Sequence, residues 1–263
     1  MDIIEAMRER RSVRSYKGLA LTDYQRQMLT QAVEESWSPF GGRLTIRLKH
    51  FGLEAGCRPG TYGMIKGAGD FFLLGMGADE ASALTAGFRF EQVVLRAWQL
   101  GLGTCWIAAT FRGSDFARGE TWPDGEKLRI VCPVGVSAAP TTLERITRFT
   151  LGSRKRKPFG ELFHEGDFGH PLSPDSRFGE ALEMVRLAPS STNSQPWRAL
   201  VCGDSVHFYY KPKSEASLVD CGIAMCHFLE TERFRGRYGS FVRDDAAPEA
   251  PSGCRYLMTY KAE

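Results

Sequence analysis

"APSSTNSQPW", residues 188–197, sets Ser190, Ser191, Thr192, Asn193 and Ser194 into one turn directly behind an amphipathic run. One capping group closes a helix end, so five small polar residues exceed that need. A turn that offers hydroxyls, an amide and backbone groups to a polar ligand edge would use them all, because a ligand edge taken out of water needs a partner for each polar atom. The alternative is an elaborate helix C-terminus with a Ser/Thr turn. The candidate binding residues here are Pro189, Ser190, Ser191 and Asn193. Gln195 and Trp197 fit a bracing role at the entry to the next strand.

The rest of the chain surrounds that turn with alternating helices and strands. Helices are expected over 2–9, over 22–35 (capped by Thr22 or Asp23), and over the strongly periodic "ALTAGFRFEQVVLRAWQLG" at 83–101. "LTIRLKHF" alternates like a strand, and "DFFLLGMG" and "LRIVCPVGVS" are apolar runs typical of buried strands. Residues 151–174, rich in Gly, Pro and charge, read as a connector. The pattern then restarts with a helix over 175–188, strands "RALVCG" and "VHFYYK", a helix over 217–234 and a last strand "CRYLMTYK". "DFFLLGMGADEASALTAGFRFEQVVLRA" and "VHFYYKPKSEASLVDCGIAMCHFLETE" both run strand, Glu-Ala-Ser, amphipathic helix. This loose repeat suggests a duplication, with a first half over 1–150 and a second, degenerate half over 175–263. The bland alternative is one α/β domain whose units look alike.

Composition narrows the classes. The 263 residues are 43% hydrophobic, enough for one large domain or two small ones. A net charge of +3 gives no general case for nucleic acid, although "SRKRK" and "RERRSVR" are basic stretches. Seven cysteines without framework spacing suggest free thiols in a reducing compartment. Cys221, Cys226 and His227 lie close together, but no second ligand pair accompanies them, so no metal is expected. Charges interrupt every apolar run near the N-terminus and no run approaches a membrane span, so the expectation is a soluble cytoplasmic protein. His164, His170 and His207 fall in loops or at strand edges and pair with no Ser or Cys nucleophile, and no triad is assigned.

Near the start, "RRSVR" offers guanidinium forks and a hydroxyl, the groups a phosphate wants. In an extended segment Arg10, Ser12 and Arg14 share one side, while Arg11 points away and contributes mainly backbone.

Together "RRSVRSY", "APSSTNSQPW", "LGLGTCWI" and "SRKRKPFGEL" resemble the nitroreductase family of FMN-dependent oxidoreductases. The resemblance implies an α+β nitroreductase fold in which each of these segments contacts the flavin. It implies phosphate and ribityl contacts from Arg10, Arg11, Ser12 and Arg14, and closure over the phosphate by Arg154 and Arg156, with Lys155 and Lys157 facing water. Trp106, Ile107, Ala108 and Ala109 would pass the flavin N5 edge with backbone donors, the two alanines leaving the ring face open. Tyr62 and Gly63 would line another edge. The order of motifs departs from the family, where the Pro-Ser-Ser-x-Asn turn follows the arginine segment by about thirty residues. Here "SWSPFGGRL" stands in that place, and the intact turn comes about 150 residues later.

In the ordinary homodimer one subunit supplies the arginines and the other the turn. The expectation is therefore two related helix–sheet halves in one chain, an internal pseudo-dimer with one FMN between them, a dead second site and a monomeric protein. The implied activity is hydride transfer from NAD(P)H to a nitroaromatic, quinone or similar electron-poor acceptor, with the chemistry on FMN and no metal. The alternatives are a flavin- or small-molecule-binding protein with little or no turnover, and a dehalogenase or dehydrogenase on the same fold.

Overall fold

The computed structural model describes residues 1–52, 59–140 and 155–263. Helix α1 (Ile3–Glu9) opens on a capping box between Asp2 and Glu5, and α2 (Asp23–Glu35) on one between Thr22 and Gln25. Thr22, not Asp23, is the N-cap. Strands β1 (Leu44–His50) and β2 (Asp70–Met76) pair antiparallel, and β2 leads into the twenty-residue α3 (Glu80–Gln99), capped by Asp79. The two-residue β3 (Gly103–Thr104), a short α4 (Gly113–Ala117) and β4 (Lys127–Gly135) follow.

The stretch read as a connector carries regular elements where it is described. These are α5 (Phe159–Leu162), β5 (Phe163–Glu165) and β6 (Asp167–Pro171). Strands of three and five residues joined at Gly166 (φ 71°) are too short to display a hydrophobic period. The chain continues with α6 (Gly179–Leu187), β7 (Trp197–Cys202), β8 (Ser205–Tyr210), α7 (Ser217–Phe234), β9 (Gly239–Val242) and β10 (Arg255–Ala262).

The strands form two sheets, ordered β1-β2-β4-β3 and β6-β5-β7-β8-β10-β9. All the pairings are antiparallel except β5 with β7. The central orders β1-β2-β4-β3 and β7-β8-β10-β9 have the same arrangement. In each, the strand that leads into the long helix lies between the strand before it and a later one. Helices beside sheets make this an α+β fold.

One core joins the two sheets. Phe72, Phe88, Phe90, Phe208, Phe228 and Tyr260 belong to a single buried cluster. Its axis is the contact of α3 with α7. A Cβ on Gly87 would sit 2.0 Å from the Val219 carbonyl oxygen, and one on Gly222 would sit 2.2 Å from the Leu84 carbonyl oxygen. The helix backbones touch, and only glycine leaves room on both sides. Buried on nearly every side, α7 carries Cys221, Cys226 and His227 in its interior, and burial pushes both thiols up.

Gly87→Ala and Gly222→Ala therefore force the two long helices apart. Each is expected to cost about 3 kcal/mol, the upper range for overpacking a core, read as a lower midpoint in thermal or urea unfolding. A midpoint equal to wild type for both would refute the close crossing.

Candidate functional site

Beyond α1 the chain turns extended at Arg10 (φ −55°, ψ 133°) and is laid between two neighbours. The Val13 amide donates to the Thr104 carbonyl at 2.8 Å, the Tyr16 amide to the Lys66 carbonyl at 2.8 Å, and the Lys66 amide to the Arg14 carbonyl at 2.9 Å. Val13 and Ser15 are buried, while Ser12 and Arg14 are half-buried on the alternate side. Arg11 is exposed and lies 5.4 Å over the Trp98 ring. The Arg10 side chain is only 5% exposed. Its Nε lies 3.7 Å from Glu91 Oε1, at ion-pair distance, and makes no hydrogen bond.

The turn after α6 is strained and heavily tied. Among the described residues four non-glycines have positive φ, and three of them are here: Thr192 (52°), Asn193 (57°) and Gln195 (46°). Each costs roughly 1 kcal/mol or more, so the surroundings must impose it. Gln195 is buried. Its amide nitrogen receives no neighbour by chance: the backbone N–H donates to Ser190 Oγ at 3.0 Å, and its side-chain Oε1 accepts from the Lys157 amide at 2.9 Å. From below, Asp220 in the first turn of α7 accepts the Ser191 amide at 2.9 Å and the Ser194 hydroxyl at 3.3 Å. Trp197, 1% exposed, starts β7. Ser191 and Thr192 stay exposed at the tip, and Pro189, Ser190 and Asn193 are half-buried.

Arg156 connects the turn with the N-terminal arginines. Its guanidinium donates to Asn193 Oδ1 and to the Leu187 carbonyl, both at 3.0 Å, while Asn193 Nδ2 donates to the Lys155 carbonyl at 2.7 Å. Burial, then the charges of Arg10 and Arg186, pull Arg156 down to about 10. Glu183 pairs Arg186 bidentately at 2.6 Å, so Arg10 and Arg156 are the guanidiniums an anion would relieve. Lys155 is exposed as expected. Lys157 is half-buried and paired to Glu161 at 3.0 Å rather than turned wholly to water.

The third segment leaves β3 beside Ser12, which bridges to Thr104. Trp106 turns its indole inward, donating to Glu91 Oε2 at 3.0 Å and meeting Phe90 edge-on at 4.8 Å. Ile107 is buried and bridges to Val131, and Ala108 and Ala109 emerge into solvent. Tyr62 (φ 48°) and Gly63 (φ 76°) form an exposed turn four and three residues before Lys66, which bonds the Arg14 backbone. Arg154 lies outside the described residues.

The sequence analysis does not single out Glu91 or Asp220, and it weighs His227 only as a metal ligand. Each is a titratable group inside an otherwise apolar helical run, and that was the available signal, since such groups are buried only with partners. His207 also differs from its expected place at a strand edge or loop. It sits within β8, buried, with Nδ1 2.8 Å from Thr259 Oγ1.

In the first half, the loop after α2 is held as the turn is held in the second. Thr85 Oγ1 accepts the Gly42 amide at 3.1 Å and lies 3.2 Å from Ser38 Oγ. Thr85 and Asp220 each stand two residues before the glycine at the helix crossing.

A family model described as "Putative TM nitroreductase" matches residues 2–231, and the chain belongs to that family. Among solved structures, a protein of Thermotoga maritima described as a "putative nitroreductase" is similar at 21% identity and a TM-score of 0.64, over 100% of this chain and 93% of that one. This likeness gives the nitroreductase fold. A nitroreductase with bound FMN from Bacteroides fragilis is similar at 15% identity and a TM-score of 0.43, over 52% of this chain and 87% of that one. A nitroreductase family protein from Clostridium difficile is similar at 16% identity and a TM-score of 0.44, over 61% and 96% of the two chains. No curated protein matches the chain. No helix among the described residues is long and apolar enough to cross a membrane.

Burial pushes the Asp220 carboxyl up to about 7, against 3.8 when unperturbed, even though Ser191 and Ser194 donate to it. The folded chain therefore holds a proton there that the unfolded chain gives up between these values. Stability must fall as pH rises from about 4 to about 7, and the ionised form carries the full cost above 7. Asp220→Asn keeps an acceptor for the Ser191 amide and cannot ionise. It is expected to be about 4 kcal/mol more stable than wild type at pH 8 and equal to it near pH 4, by thermal unfolding. An unchanged difference between the two pH values would refute the assignment.

Proposed function

We propose that this chain is an FMN-dependent oxidoreductase whose two halves, 1–150 and 175–263 joined by 151–174, act as an internal pseudo-dimer around one flavin. The observation that carries this reading is that Arg156, which donates to Asn193 in the Pro-Ser-Ser-Thr-Asn turn of the second half, feels the charge of Arg10 from the first. The residues fit the group. A buried guanidinium with an unbonded Nε, close enough to Arg156 to lower it, suits a phosphate. The turn offers exposed hydroxyls to a ribityl chain. The matching strand orders and the Thr85 and Asp220 loop contacts support duplication.

Arg10, Ser12 and Arg14, with backbone from Arg11, hold the phosphate and ribityl side, and Arg154 and Arg156 close over it. Pro189, Ser190, Ser191 and Asn193 take the ribityl and pyrimidine edges. Trp106 and Ile107 anchor a backbone edge near N5, Ala108 and Ala109 leave the ring face open, and Tyr62 and Gly63 line a further edge. When bound, FMN supplies two-electron redox chemistry at that face. NAD(P)H is the donor, and a nitroaromatic, quinone or similar electron-poor compound is the acceptor. For a quinone the balance is one NAD(P)H and one solvent proton consumed, with NAD(P)+ and the hydroquinone released. The pseudo-equivalent place at "SWSPFGGRL" has neither the Ser-Ser-x-Asn turn nor a partner Arg-Arg-Ser-x-Arg, and it takes no flavin. The protein acts as a cytoplasmic monomer without nucleic-acid partners.

Arg14→Ala and Asn193→Ala, one from each half, are each expected to weaken FMN binding by about tenfold or more, the scale of one charge-assisted or buried hydrogen bond. Flavin fluorescence quenching on titration measures this. Wild-type affinity in both variants would remove the site from between the halves.

A further inference from the structure

We propose that Glu91 is a positioning residue that aims Arg10 at the cofactor phosphate, a role that rests on the FMN reading above. Glu91 lies on α3 one turn beyond the glycine crossing, with its side chain 0% exposed. Both oxygens are engaged. Oε2 accepts from the Trp106 indole at 3.0 Å, and Oε1 meets His227 Nε2 of α7 at 3.0 Å and Arg10 Nε at 3.7 Å. One carboxyl thereby joins the phosphate-side segment, the segment after β3 and the second half's long helix.

The proton count shows what Glu91 leaves to Arg10. His227 Nδ1 stands 3.0 Å from the Met184 carbonyl, which only accepts, so Nδ1 carries a hydrogen. The Nε2–Oε1 contact then holds one proton, on the ring or on the carboxyl. With either placement the His227–Glu91 pair is neutral, and the cluster keeps the single positive charge of Arg10. Glu91 fixes the guanidinium without consuming its charge. Trp106 and His227 hold Glu91 in turn, so Arg10 is set by a network that spans both halves.

Glu91→Gln isolates this role. The amide can accept from Trp106 and donate to His227 Nε2, and the net charge of the cluster is unchanged. The charge on the 91 side chain that faces Arg10 is removed, while hydrogen bonds to Trp106 and His227 remain possible. The test is the dissociation constants of FMN and of riboflavin, which lacks the phosphate, for wild type, Glu91→Gln, Arg10→Ala and the double variant, with apo-protein unfolding midpoints alongside. Glu91→Gln is expected to weaken FMN about tenfold, as for loss of one charge-assisted contact, and to leave riboflavin within about twofold. Arg10→Ala should show the same selectivity, and the double variant should bind FMN no worse than Arg10→Ala. Should Glu91→Gln not fold, Glu91→Asp, which keeps the carboxylate but withdraws it by one methylene, reads the same FMN-to-riboflavin ratio.

A merely structural residue would lower the apo midpoint and leave that ratio at the wild-type value, which would overturn the proposal. Additive losses in the double variant would overturn it too. Wild-type protein that binds neither flavin would instead sink the flavin site itself, and this role with it.

Discussion

The backbone contact between α3 and α7 is the constraint on which the rest of the structure depends. Gly87 and Gly222 face each other's helix so closely that a single methyl on either would overlap a carbonyl oxygen. That closeness fixes both the spacing and the register of the two long helices. Thr85 and Asp220, two residues earlier in each helix, then fall under the loops they hold. Glu91, four residues past Gly87, falls opposite His227, five past Gly222. The crossing thus sets the distance between the arginine segment and the polar turn, which belong to sequence regions some 180 residues apart.

Electrostatics follow from this placement. Arg156, held by the Leu187 carbonyl and Asn193, is lowered by burial and by the charges of Arg10 and Arg186, which are themselves paired to Glu91 and Glu183. The strained turn is locked by Asp220 beneath, Gln195 within and residues 155–157 alongside. Backbone strain and clustered guanidiniums fall in one place, and the proposed reading puts the flavin phosphate and ribityl chain there.

Much of this was legible in the sequence. The 3.6-residue period of α3 and the apolar runs of β2 and β4 stand out because burial writes a pattern long enough to read. The extra hydroxyls after α6 and the dense arginines near position 12 stand out because no fold requires them. What could not be read lies where the pattern is short or contact is distant. Strands β5 and β6 exist through pairing with β7 and with each other, not through their own composition. The partners of Glu91 come from three separate stretches of chain, and no local spacing announces them. His207 looked like an edge residue because its hydroxyl partner, Thr259, is 52 positions away.

The most direct test of the account is the number of flavins per chain measured together with the mass of the particle that holds them. Purified protein would be saturated with FMN, freed of excess and examined by visible absorption and light scattering. The account predicts one FMN per chain on a single-chain particle. Two flavins per chain, or one flavin that requires two chains, would contradict a site built between the halves.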